Sequence, residues 1–304
     1  MNRFWITAAL ATASLAGGYA VAACTSGGAA TGAGLAAHPP AAHAPAAAQP
    51  GTGAAARVVA FPAQKPVPPK ITIKRTHSPD GSLVTVATFS GPVRYALYDG
   101  SQDPYIPDRE VHDQSAVTGQ NRSRLLAAFN GGFKMVADSG GYEQQGHVIS
   151  PLRYGFASLV INRAGRAKIE VWKPEDQPKP YSVRQNLQAL VLDGKPTSAA
   201  SEWGLWGATL GGGEDVARSA IGQNSAGDIM YAGSMSSTPY DLARALSKYG
   251  ARTGMELDIN PAWVQLDVAH ARGGHLHAEV AGQYRPADQY VDGWTRDFVA
   301  VLGP

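Results

Sequence analysis

From about residue 70 onward, apolar and polar positions alternate with a period close to two, the signature of half-buried strands. Ile71 to Arg75 and Leu83 to Phe89 flank Ser78-Pro79-Asp80-Gly81, which predicts a hairpin. Further strands are predicted over Val93 to Tyr98, Leu125 to Phe129, Phe156 to Ile161, Ala167 to Trp172 and Leu187 to Leu192. Val216 to Ile221 and Asp228 to Ala232 predict a second hairpin across Asn224-Ser225-Ala226-Gly227, and Trp263 to Val268, Leu276 to Val280 and Phe298 to Leu302 are short apolar runs. Gly140-Gly141 and Gln144-Gln145-Gly146 predict a mobile polar loop.

The period becomes helical once with clear boundaries. Leu242, Ala245, Leu246 and Tyr249 share a helix face; Ser237 or Thr238 can cap it, Pro239 suits its first position, and Gly250 ends it. A second helix is predicted around Gln114 to Arg122. After the capped helix, Met255 to Ile259 reads as a strand with Met255, Leu257 and Ile259 on one face and Glu256 and Asp258 on the other. Residues 228–259 thus predict a βαβ-like unit, whose helix start and second strand end share a sheet edge, where anions bind in open sheets. The fold class is α+β: strand-rich mixed sheets with few helices.

Composition changes the picture at the N-terminus. Residues 1–23 read as an export signal: Arg3 precedes an apolar core, and small residues lead to Cys24, the only cysteine of 304 residues. Val21-Ala22-Ala23-Cys24 resembles a bacterial lipobox, making Cys24 the expected lipid anchor and the protein an exported lipoprotein facing outward from the cell membrane. An ordinary cleaved signal is the alternative. Residues 24–70, rich in Ala, Gly and Pro, read as a tether that cannot bury a core, leaving 71–304 as the folded domain. His38 and His43 belong to this tether. The net charge of +2 gives no reason to expect a nucleic acid partner.

The chemistry concentrates in a few motifs. Trp206 to Gly222 contains Gly211-Gly212-Gly213 and then a strand carrying Arg218, a fork suited to a carboxylate or phosphate. Asn130-Gly131-Gly132-Phe133 places an amide side chain at a strand end. Ala127 to Phe133, then Arg218-Ser219-Ala220-Ile221-Gly222, the capped helix, and Leu257-Asp258 together resemble the phosphodiester glycosidase family, which includes the lysosomal enzyme that uncovers mannose 6-phosphate and many bacterial envelope proteins. The resemblance spans roughly Ser90 to Leu302. One departure stands out. The family usually continues Leu-Asp with glycines and serines, whereas Asp258 is followed by Ile259-Asn260-Pro261-Ala262-Trp263.

The resemblance implies hydrolysis of the sugar–phosphate bond of a sugar-1-phosphate diester in envelope or extracellular glycans. Asp258 is then the carboxylate facing the cationic anomeric centre, with Glu256 as a second catalytic carboxylate. Arg218 is expected to hold the phosphate, helped by amides near Ser237; Asn130, Gly131 and Gly132 are expected to bind substrate, and Asn260 to replace a lost hydroxyl donor. Arg218 and the helix start together would lower the pKa of Asp258. A non-catalytic envelope module binding glycan or protein in the same pocket remains the alternative. An ordinary glycosidase on neutral glycans, indifferent to Arg218, is a third. Retention and inversion are not distinguished. No cofactor is established; a calcium ion on acids such as Asp138, Glu143 or Asp258 is compatible with the sequence. His270, His275 and His277 read as surface histidines, and Trp203, Trp206, Trp263 and Trp294 as core or sugar-stacking aromatics.

Overall fold

The computed structural model describes residues 68–103, 115–173 and 180–304. The export signal, Cys24 and the tether up to residue 67 lie outside the described residues; Lys70, the last residue assigned to the tether, already begins the first strand. Three sheets form the folded unit.

The largest sheet joins β1 (Lys70–His77), β2 (Leu83–Ser90), β13 (Ile229–Ser237), β12 (Val216–Asn224), β14 (Ala251–Glu256), β10 (Ala189–Leu192) and β11 (Lys195–Pro196), in that order. The second has the order β16 (Leu276–Ala278), β15 (Leu266–Ala269), β4 (Leu125–Asn130), β17 (Phe298–Leu302) and β3 (Arg94–Tyr98). The third runs β6 (His147–Ser150), β5 (Tyr142–Gln144), β9 (Ser182–Gln185), β7 (Ala157–Ile161) and β8 (Ala167–Val171).

Neighbouring strands in all three sheets pair antiparallel, so the expectation of mixed sheets is corrected. The 228–259 unit shows why the two readings are close. β13 and β14 are joined by helix α2 (Pro239–Lys248) and run parallel, but β12 lies between them, antiparallel to both. The crossover exists and spans an intervening hairpin strand. Its helix starts in a capping box in which the Thr238 hydroxyl accepts from the Asp241 N–H and the Asp241 carboxylate accepts from the Thr238 N–H.

Strand alternation sorts the apolar side chains into layers. Ala87, Phe89, Ile229 and Tyr231 face a central core shared with Phe129, Val299 and Val301 of the second sheet and Tyr142 and Leu159 of the third. Val84, Val86, Met230 and Ala232 point the other way, against Leu242, Ala245 and Leu246 of α2 and against Trp206. Each fully buried leucine of that helix contributes roughly 1.5–3 kcal/mol. The second sheet has its own outer cluster, where Tyr98, Phe298 and Tyr290 stack.

Three local expectations are revised. The predicted mobile loop around Gly140 to Gly146 is the β5–β6 hairpin, with Gly140, Gly141 and Tyr142 buried. The helix near residue 114 occupies Gly119–Arg124. The strand expected from Met255 runs Ala251–Glu256, and residues 254–259 are buried without interruption, so Glu256 and Asp258 share no solvated face.

Candidate functional site

The asparagine-glycine-glycine turn, the arginine-serine strand and the Asp258 segment meet at one end of the second sheet. Asn130, at the end of β4, donates from Nδ2 to Ser219 Oγ at 2.8 Å and to Gly131 O at 3.0 Å. Its Oδ1 accepts from Tyr231 Oη at 3.0 Å and from the Gln265 N–H at 3.1 Å. Every polar capacity of that buried amide is therefore occupied, and the side chain has nothing left to offer a ligand. Ser219 Oγ donates onward to Asp258 O at 2.7 Å, and the Asp258 N–H bonds Gly131 O at 3.0 Å. Asn130 and Ser219 thus fix the backbone that carries Asp258.

Arg218 and Glu256 occupy a different place from the one expected. Both are fully buried and pair with each other, Arg218 Nη1 to Glu256 Oε1, at 2.9 Å. The remaining guanidinium donors reach Ser237 O at 3.1 Å, Trp206 O at 3.2 Å and Glu214 O at 3.4 Å. A guanidinium so enclosed has no open fork for a phosphate, so its expected ligand-binding role is corrected to an internal tie. Burial pushes the Glu256 carboxyl up to about 8 against the opposing pull of Arg218. Its Oε2 is buried with no hydrogen-bond donor, consistent with that direction. Glu256 is likewise removed from the expected catalytic pair. Ser237 is buried, and the Thr238 and Asp241 N–H groups at the helix start are taken by the capping box, while Asp258 takes its backbone donor from Asn260 instead.

Asp258 itself borders a cavity of about 250 Å³ lined by Phe133, Lys134, Val136, Ile259, Asn260 and Arg296, among others. Arg296 Nη1 donates to Asp258 Oδ2, and Arg296 Nη2 donates to Gly132 O at 3.1 Å. Behind this pair lies a second one, Arg184 Nε to Asp297 Oδ2 at 2.8 Å, whose acceptor also takes the Gly132 N–H at 3.0 Å. The Gly131-Gly132 backbone is pressed against these ions: a Cβ on Gly132 would lie 2.9 Å from the Arg184 guanidinium, and one on Gly131 would strike the Asp297 carboxylate. The two glycines are therefore required by close approach to a buried ion-pair network, a packing reason for glycine at both positions.

Burial raises the Asp258 pKa, with Arg296 and the Asn260 N–H opposing and Asp297 reinforcing the rise. The expected lowering is thus reversed, because the helix start and Arg218 are engaged elsewhere and the carboxylate sits 4% exposed. Asn260 lines the cavity and supplies a donor to Asp258, but from its backbone: its N–H reaches Asp258 Oδ1 at 2.8 Å, while its own Oδ1 accepts from the Ala262 N–H at 2.9 Å. This turn over residues 258–262 is what the unusual Ile-Asn-Pro-Ala sequence builds.

Arg296, Asp297, Arg184 and Lys134 were not singled out by the sequence. The one available signal was a charged pair, Arg296-Asp297, entering the wholly apolar run of β17. Among the described residues no group of three or more His, Cys, Asp or Glu side chains is arranged to hold a metal ion, and Asp138 pairs instead with Arg153. His275 is exposed near Asp288, and the His270 and His277 rings contact each other at 4.1 Å. Trp206 is core, whereas Trp263 and Trp294 pack together with the Arg285 guanidinium 4.7 and 4.2 Å from their rings.

The fold is similar to that of a solved phosphodiester glycosidase catalytic domain. The structure superposes on the catalytic domain of zebrafish N-acetylglucosamine-1-phosphodiester alpha-N-acetylglucosaminidase, described as auto-inhibited by its pro-peptide, with a TM-score of 0.50 and 14% identity over 77% of this chain and 82% of that one. A hypothetical protein from Synechocystis is similar at a TM-score of 0.48 and 12% identity over 77% of this chain and 62% of the other. No family model matches the chain, and no curated protein matches it by sequence.

Proposed function

We propose that this protein is a phosphodiester glycosidase that cleaves the sugar–phosphate bond of a sugar-1-phosphate diester. The observation that carries the proposal is a single cavity bounded by a carboxylate, Asp258, and two cations, Arg296 and Lys134. The reaction breaks the C1–O bond and releases a phosphate monoester as a stable anion. Such a leaving group needs its charge held more than it needs a proton. Lys134, exposed at the cavity, supplies that positive charge, while Arg296 is held among Asp258, Asp297 and Asp103 and sets the position of the carboxylate. Asp258 faces the anomeric carbon as nucleophile or as base for water. At about 250 Å³ the cavity is below the roughly 300–1,000 Å³ of typical ligand pockets, which suits one sugar phosphate rather than an oligosaccharide.

A second reading draws on the loss of Glu256 to Arg218. Most glycoside hydrolases use two carboxylates, and among the described residues only Asp258 lines this cavity, as it would in a module that binds a phosphosugar without cleaving it. The deciding experiment is release of phosphate monoester from a panel of sugar-1-phosphate diesters, N-acetylglucosamine among the sugars. Turnover by the wild type and its loss in Asp258→Asn support the hydrolase; saturable binding without turnover supports the module. The proposal extends to location: an exported lipoprotein tethered through Cys24 at the outer face of the membrane, working on envelope glycans.

A further inference from the structure

A second groove, of about 290 Å³, lies at the far end of the second sheet from Asp258. The sheet geometry fixes the separation. The Asp258 cavity and its ion pairs sit beyond Asn130 of β4 and before Phe298 of β17; the groove is reached at the opposite ends of the same strands, at Arg124 and Leu302, and at Arg94 of neighbouring β3. Six residues of β4 at roughly 3.3 Å each put the two sites about 20 Å apart.

Among the described residues the groove is lined by Arg94, Arg124 and Arg163 and by no acidic side chain. None of the three arginines forms an ion pair among the described residues. Two of them are nevertheless held in place. Arg124 donates from Nε and Nη2 to Gly303 O at 2.9 and 2.6 Å, and its Nη1 has no acceptor among the described residues. The Arg163 guanidinium lies 4.9 Å from the centre of the Tyr181 ring, an arrangement that fixes its direction while leaving its edge donors open. Asn162 adds amide donors, since its Oδ1 is committed to the Ala164 and Arg166 N–H groups at 3.0 Å each. Three like charges line one groove with no counter-ion among the described residues, an arrangement that favours an anion joining them. Guanidinium forks match phosphate oxygens in particular.

We propose that this groove binds successive phosphate groups of an anionic chain, at a site separate from the Asp258 cavity. The shared chemistry is linked phosphate, whether inorganic or part of a phosphate-linked glycan. The proposal does not depend on the hydrolase reading.

Sodium tripolyphosphate is titrated calorimetrically into the full chain, with Arg163→Glu and Arg163→Lys alongside. Arg163 sits on an exposed turn, so matching melts are expected for all three proteins. The expected result is affinity that falls as salt rises, about tenfold or more weaker in Arg163→Glu and partly kept in Arg163→Lys. Turnover of a small sugar-1-phosphate diester is expected to be equal in wild type and Arg163→Glu, which separates failure of the groove from failure of the catalytic reading. A phosphate-linked glycan run in parallel identifies the source: tighter binding than tripolyphosphate points to the glycan, equal binding to phosphate alone, and both support the groove. Equal affinity of Arg163→Glu and wild type overturns the proposal. So does tighter binding of a single-stranded oligonucleotide than of either phosphate probe, which would make the groove a nucleic acid site.

Discussion

Arg296 holds the carboxylate of Asp258, 38 residues earlier in the chain, while its other terminal nitrogen holds the carbonyl of Gly132. One side chain therefore ties the candidate carboxylate to the glycine turn at the wall of the cavity. Replacing it with lysine keeps the charge but removes the second arm. Arg296→Lys is expected to weaken a sugar phosphate by about tenfold, measured by calorimetry, with a smaller effect on the melting temperature.

Asp258→Asn retains shape and removes the charge. Turnover of a sugar-1-phosphate diester is expected to fall by several orders of magnitude, roughly the loss seen for essential catalytic groups. Because burial raises the pKa of Asp258 and the reaction needs the ionised form, the wild-type rate is expected to fall as pH drops, with a midpoint above the ordinary aspartate value of 3.8. A pH–rate profile with an acid limb at or below that value would contradict the assignment.

The buried Arg218–Glu256 pair makes a stability prediction. Arg218→Ala leaves the buried Glu256 carboxyl without its hydrogen-bond donor and is expected to cost about 1–3 kcal/mol at neutral pH, whereas joint replacement by Met and Leu is expected to restore most of it. Denaturant unfolding of the two single variants and the double one checks the cycle.

The same pair sets a pH dependence. Glu256 titrates near 4.5 when unfolded and at about 8 in the fold, so between those values the native state binds the extra proton. Its contribution to stability is full below about 4.5 and is lost as pH rises toward 8. Glu256→Gln is expected to flatten the stability profile across that window, and an unchanged slope would show that the carboxyl is ionised throughout.

Gly131→Ala drives a methyl group into the Asp297 carboxylate and backbone. The expected cost is about 1–3 kcal/mol, with loss of turnover because Arg296 must shift. Thermal melts and the diester assay report the two effects separately.

Cys24→Ala is expected to release the protein from the membrane fraction. A variant that remains membrane-bound would mean that the apolar N-terminal stretch holds the protein there without lipid.

Much of this architecture is legible in the chain. The hairpin 216–237, the capped helix at Thr238-Pro239 and the two-faced strands follow from local periodicity and from side chains that bond within a few residues, where sequence distance and spatial distance agree. Asp258 also emerged, through its motif. What the sequence could not decide was which charge meets which. Arg218 stands on a strand as any exposed arginine would, and only the packing of Trp206, Glu214 and Glu256 around it turns it inward. Arg296 becomes the partner of Asp258 because β17 pairs with β4 and delivers residue 296 beside residues 130–132, a register set by backbone hydrogen bonds between segments more than 160 residues apart. Burial then fixes the sign of the pKa shifts, since desolvation depends on every layer that closes over a carboxyl and on no single neighbour in sequence.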